Sequence, residues 1–238
     1  MFEVGELTGD TPGEAQLWIE RNGLIQVHHV PGAYSPLYCN ALGECLTIVG
    51  VGPTHTTASV MALGLDPNLD LRRTYLMMGG LSGGNPNVLA SNSVVWVKWA
   101  VDSDTGHQID PRELPATFRF GKFRMGCSAP WCEEEAWIFG SEVFELDEAV
   151  VDRAYQLSRN TVLDDNAVAQ EYRRRYPNAA FQTPSVVRCD AISGGQYFHG
   201  KLMSQWAEWW VAQWTRGQGW VDSLIRGLST FIKTCKEN

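Results

Sequence analysis

Charge is scarce in this sequence and long apolar runs are missing. Of 238 residues, 19% are charged and 44% hydrophobic, a globular balance that excludes long disordered tails and coiled coils. Arg72, Arg73, Lys98, Asp102 and Glu208 cut every apolar stretch short of the roughly 20 residues that cross a bilayer, so a membrane carrier is not expected. Basic residues number 19 against 27 acidic ones, for a net charge of -8, which leaves no electrostatic footprint for nucleic acid. The opening Met1-Phe2-Glu3-Val4-Gly5-Glu6 has no basic-then-apolar leader pattern, and a cytoplasmic location is the expectation for the chain as given.

Cysteine is also sparse. Six are too few for a disulfide scaffold at this length. Cys39 and Cys45, and Cys127 and Cys132, bracket turns that an oxidising compartment would close, but reduced structural thiols are the expectation. Neither pair has zinc-knuckle spacing, and His28, His29, His55, His107 and His199 form no ligand set. No metal and no cofactor are expected.

What is abundant is tryptophan, ten in all. The pattern around it alternates strands and helices. A short helix at 14–20 stops at Asn22-Gly23, and a strand from Cys45 to Val51 leads through Gly50 and Gly52 into a helix from Thr54 to Leu63. Thr74-Tyr-Leu-Met-Met78 reads as a buried strand feeding the glycine-dense loop Gly79 to Pro86, and Ser93 to Trp99 alternates as another strand. After an irregular, aromatic-rich stretch from Asp102 to Ser141, Asp147 caps a helix reaching Arg159 and Asp165 caps a second. A strand at Pro184–Cys189, a helix from Lys201 to Thr215 and an amphipathic helix bearing Leu224, Ile225, Leu228, Phe231 and Ile232 complete the pattern. No linker or repeat divides the chain, so one α/β domain over 1–238 is expected.

In an open α/β sheet, ligands gather at the carboxyl ends of strands, where glycine turns let backbone N–H groups approach. Two such turns are present, Gly50 to His55 and Gly79 to Pro86, and neither is a dinucleotide fingerprint or a P-loop. There is no Gly-x-Ser-x-Gly elbow. Glu142 and Glu145, both set among apolar residues, offer one candidate buried carboxylate between them. Leu202, Met203, Trp206, Trp209, Trp210 and Trp214 form a stripe on one helix; core packing accounts for at least half of it, and an aromatic cavity wall or a homo-oligomer contact is the functional reading.

Several segments together resemble the purine nucleoside permease (NUP) family: Val49-Gly-Val-Gly52 with Thr57 to Leu63, Leu69 to Tyr75 with Gly79 to Pro86, Ile109 to Pro115, Phe139 to Leu146, and Pro184 to Asp190 leading to Gln196-Tyr-Phe-His-Gly200. The likeness runs over roughly residues 30 to 219. It implies a nucleoside phosphorylase-like fold: a single three-layer α/β/α sandwich with a mixed, mostly parallel central sheet. It places the glycine turns at the ligand edge and Cys189 to Gly200 beside the base. The chain departs from the pattern at Gly194-Gly195, where family members carry an Asp. A second departure is Trp220-Val-Asp-Ser-Leu-Ile-Arg226, where the family has a Met-Glu-Asp segment whose glutamate grips ribose.

Lost ribose contacts and abundant Trp and Met favour a cofactor-independent cyclase or isomerase of Diels–Alder type, acting on an apolar secondary metabolite by confinement and hydrogen-bond polarisation. His55, Ser82, Asn85, Tyr197 and His199 are its candidate donors, with Gly52, Thr54, Met78, Gly79, Glu142, Trp206 and Trp210 as the substrate-binding set. The alternative keeps purine nucleoside binding or cleavage, and a non-catalytic remnant is the third reading.

Overall fold

The computed structural model describes residues 3, 5–10, 13–85, 89–176 and 183–215, and the backbone of two strands at 222–227 and 230–234. The packing divides the chain into two compact units, 1–81 and 82–238.

In the first unit, helix α1 (Gln16–Asn22) ends on Gly23 and precedes a three-stranded antiparallel sheet of β1 (Gln26–His28), β2 (Leu37–Cys39) and β3 (Cys45–Thr47). Asn40 shapes the β2–β3 turn, where its Oδ1 accepts from Leu42 N and Glu44 N. Helix α2 (Gly52–Leu65) follows. Its Ser59, fully buried, accepts from Tyr34 N at 3.0 Å, and Ala62 and Leu63 pack against Val30, Leu37 and Cys39. The strand expected at 74–78 does not form. Tyr75, Leu76 and Met78 are largely exposed, because no neighbouring strand hydrogen-bonds this apolar run among the described residues.

The second unit holds a six-stranded mixed sheet of β4 (Ser82–Gly84), β5 (Val94–Asp102), β8 (Val143–Glu145), β9 (Val186–Ser193), β10 (Asp222–Gly227) and β11 (Thr230–Thr234), in the order β10-β4-β11-β9-β5-β8. A two-stranded ribbon of β6 (His107–Gln108) and β7 (Lys122–Phe123) forms a separate sheet. Where an amphipathic helix is expected, 222–227 and 230–234 are two antiparallel strands instead, and Leu228 of that expected helix lies outside the described residues. The apolar run is broken at Gly227 and includes Ile225, Phe231 and Ile232, residue types that suit a pleated surface, and short apolar runs have no periodicity that separates helix from strand.

At the centre, β5 and β9 run parallel, in step from Val94 opposite Val186 to Val97 opposite Cys189. Pairing resumes at Ala100 opposite Ala191, so β5 carries one extra residue. Asp190, fully buried, stands at the slip and accepts from Trp99 N at 3.3 Å. In the bulge itself, Lys98 reaches Glu148 at 2.9 Å and Glu145 at 3.5 Å. Burial works against its charge, but the two carboxylates outweigh it and hold its ammonium above the ordinary lysine value.

Helices cover both faces of β9. Helix α3 (Glu148–Ser158) is capped by Asp147, as the sequence suggests, and its Asp152 pairs with Arg188 at 2.7 Å. Helix α5 (Lys201–Trp214) lays Trp206, Ala207, Trp210 and Val211 against Val187, Cys189 and Ala191, which share a face by their two-residue spacing. Between them in the sequence, α4 (Ala167–Arg173) is capped by Asn166, one residue beyond the Asp165 expected. Asp165 pairs instead with the buried Arg173.

Candidate functional site

The carboxyl ends of β5 and β9 meet where Ser103 N donates to Ser193 O at 2.7 Å. Beyond that bond the chain turns sharply on both strands. Asp102 folds its own turn, accepting from Asp104 N at 3.0 Å and Thr105 N at 2.7 Å. The exposed Asp104 carboxylate then reaches across to β9's end, where Gly195 N donates to its Oδ2, and Ser103 Oγ donates to its Oδ1 at 3.4 Å. Gly194 leaves the room for this: a Cβ there would stand 2.2 Å from Asp104 Oδ1.

A cation and two indoles lie beneath. Lys122 of β7 is buried and donates to Ser103 O, with its Nζ 5.3 Å from the Trp206 ring. Burial pushes its ammonium below the ordinary lysine value, against the pull of Asp104 and Asp102. Trp210 Nε1 donates to Asp102 O at 2.8 Å, tying α5 to the turn. On the same helix, Glu208 Oε1 accepts from the buried Asn85 Nδ2 at 3.0 Å, which brings a carboxylate to the end of the glycine-rich segment. The arrangement offers an anionic acceptor held by N–H and O–H donors, at the strand edge where α/β folds bind ligands.

The residues singled out from sequence fall in both units. In the first, Gly52, Thr54 and His55 start α2, and the exposed His55 packs edge-on against Tyr34 at 5.4 Å. Met78 is 79% exposed beside Gly79. In the second, Asn85, Trp206 and Trp210 come together on or against α5, while Ser82 lies exposed on β4 and Tyr197 and His199 lie exposed between β9 and α5. Of the two carboxylates in the apolar segment, Glu142 is buried and Glu145 exposed, but the Glu142 carboxylate accepts from Phe139 N, Gly140 N and Ser141 N at 2.7 to 2.9 Å and so shapes its own loop. Only its backbone reaches the edge, where Asp102 N donates to Glu142 O at 2.8 Å.

Trp206 and Trp210 have no exposed surface. Their rings, with Trp209, Trp214 and Trp131, meet edge-on or tilted at centroid distances of 5.3 to 6.1 Å. The stripe is core. Sequence reasoning missed Asp102, Asp104 and Lys122. The available signal was Asp102-Ser-Asp-Thr-Gly106, a side-chain-capped turn directly after an alternating strand. Trp220, in the departing segment, lies outside the described residues.

A family model described as purine nucleoside permease (NUP) matches residues 1–221. The chain belongs to the NUP family. A probable purine nucleoside permease of Schizosaccharomyces pombe is 28% identical over 204 residues, covering 80% of this chain and 59% of that relative. A purine nucleoside permease of Candida albicans is 26% identical over 237 residues, covering 94% of this chain and 55% of the relative. This NUP chain therefore spans little more than half the length of these curated relatives. No solved structure matches it. Among the described residues, no helix of this NUP chain is long and apolar enough to cross a membrane.

The cysteines correct the sequence expectation. Cys39–Cys45 and Cys127–Cys132 are disulfides, and no described cysteine is a free thiol. The antiparallel register sets Cys39 opposite Cys45 with Cα atoms 4.1 Å apart, and the turn after β7 brings the second pair to 5.7 Å. Both separations follow from folding, which spacing along the chain does not reveal.

Proposed function

We propose that this NUP chain binds purine nucleosides at the carboxyl edge of β5 and β9, on a nucleoside phosphorylase-like three-layer scaffold. The observation that carries the reading is Asp104, an exposed carboxylate held across the parallel strand ends by Gly195 N, in a chain of this family. A purine presents ring and exocyclic N–H donors, and a fixed carboxylate accepts them in charge-assisted bonds of about 1.5–3 kcal/mol. Tyr197, two residues beyond Gly195 and 57% exposed, supplies an aromatic face of the kind that stacks on a base. Helices on both faces of β9 support the layered scaffold.

The cyclase reading needs indoles that wall an open space, and those of Trp206 and Trp210 are fully enclosed by their neighbours. The names of the curated relatives point the same way, toward purine nucleosides. Isothermal titration with inosine and adenosine tests the proposal. Binding is expected, and Asp104→Ala weakens it at least tenfold. Absence of heat at millimolar nucleoside sinks it.

A further inference from the structure

The loop between β7 and β8 has little regular structure, yet it carries one indole that touches three others. Trp131 meets Trp209, Trp210 and Trp214 edge-on, with centroids 5.9, 5.8 and 5.3 Å away. Arg124 fills the angle between two of them, its guanidinium 4.5 Å from the Trp131 ring and 4.3 Å from the Trp214 ring, and it donates to Cys132 O at 2.7 Å. The Cys127–Cys132 bridge closes the segment that bears Trp131.

We propose that this disulfide is a redox latch. Closed, it seats Trp131 on α5; reduced, it releases Trp131 and loosens the indole cluster. The Cys39–Cys45 bridge is held differently. Cys39 and Cys45 face each other in a ladder whose neighbouring pairs, Tyr38 with Leu46 and Leu37 with Thr47, keep β2 and β3 together without the sulfur bond. No ladder backs Cys127–Cys132 among the described residues; the bridge, Arg124 and the bond from Trp137 N to Met125 O at 3.0 Å hold the loop's backbone. Cys132 is partly exposed and Cys127 is buried, so a dithiol attacks Cys132 Sγ and Cys127 leaves as a thiolate that takes a proton. The second thiol of the reductant then resolves the mixed disulfide, freeing Cys132; two electrons pass, and the dithiol becomes a disulfide. Trp210 links the latch to the strand edge, since the same indole touches Trp131 and donates to Asp102 O. That last link rests on the nucleoside-binding reading; the latch itself does not.

Acrylamide quenching and near-ultraviolet dichroism of the whole chain, with and without dithiothreitol, test the latch. Reduction is expected to raise the quenching constant at least twofold, with the far-ultraviolet signal unchanged and full reversal by oxidised dithiothreitol. Cys127→Ser/Cys132→Ser shows the reduced signature without reductant, and Trp131→Phe abolishes the redox-dependent change. The latch is overturned if the double variant keeps the oxidised signature, if Trp131→Phe leaves the change intact, or if reduction unfolds the helices. Inosine affinity is expected to fall about tenfold in the double variant. Equal affinity in both forms overturns the link to the strand edge, whereas an optical latch with inosine bound by neither form defeats the nucleoside reading and leaves the latch standing.

Discussion

Gly194 and Asp104 share one space. A Cβ built on Gly194 would lie 2.2 Å from Asp104 Oδ1 and 2.1 Å from Ser103 Oγ, so this glycine is the condition for the carboxylate's position. Both clashing atoms end flexible side chains, and Gly194→Ala should push them aside at a cost of about 1–3 kcal/mol in stability. Inosine binding should weaken tenfold or more, because the acceptor has moved. An alanine variant with unaltered affinity, measured by titration, removes Asp104 from the site.

Glu142→Gln tests a purely architectural carboxylate. Three backbone N–H groups converge on it, and an amide presents an N–H₂ where one oxygen stood. Loss of a buried charged acceptor costs about 2–3 kcal/mol. The urea midpoint should drop accordingly while nucleoside affinity changes less than twofold; an unchanged midpoint contradicts the assignment.

Trp210 links core and site through one bond. Phenylalanine keeps part of the packing but leaves Asp102 O without its donor, for a combined loss of about 2–3 kcal/mol. The thermal midpoint of Trp210→Phe should fall. The Asp102 turn should loosen as well, seen as faster amide exchange at Asp104 and Thr105. Unchanged exchange there detaches Trp210 from the turn.

Acid should act through Asp165. The hydrogen bond from Arg173 holds this carboxyl below its ordinary range, with burial opposing. A folded value below the unfolded one means that the stabilisation is complete above roughly pH 4 and is lost as pH falls through the lowered value. Asp165→Asn should therefore be less stable than the parent at pH 7, and the gap should close toward pH 2. A gap that stays constant between those pH values rules the pair out as an acid-sensitive contact.

Local chemistry was legible from the chain alone. Asp147 declares its helix because a short carboxylate before an amphipathic run satisfies orphan N–H groups, and it accepts from Val150 N at 3.1 Å. Helix α5 and the first parts of β5 and β9 are legible as apolar segments, although the two strands run past the expected ends at Trp99 and Cys189, and the family is written in the order of short segments from Val49 to Gly200. The rest depended on which segments became neighbours. Residues 74–78 have a buried strand's composition but no strand beside them among the described residues, and 222–227 and 230–234 chose pairing over helix because other strands accepted them. The tryptophan stripe became core because Trp131, from a distant loop, closed on it. Asp104 became a candidate for recognition only when parallel pairing set Ser103 beside Ser193 and brought Gly194 and Gly195 under its carboxylate. Hydrogen bonds within a turn are set by adjacent residues, whereas strand partners and disulfides are set by distances that only the folded chain defines.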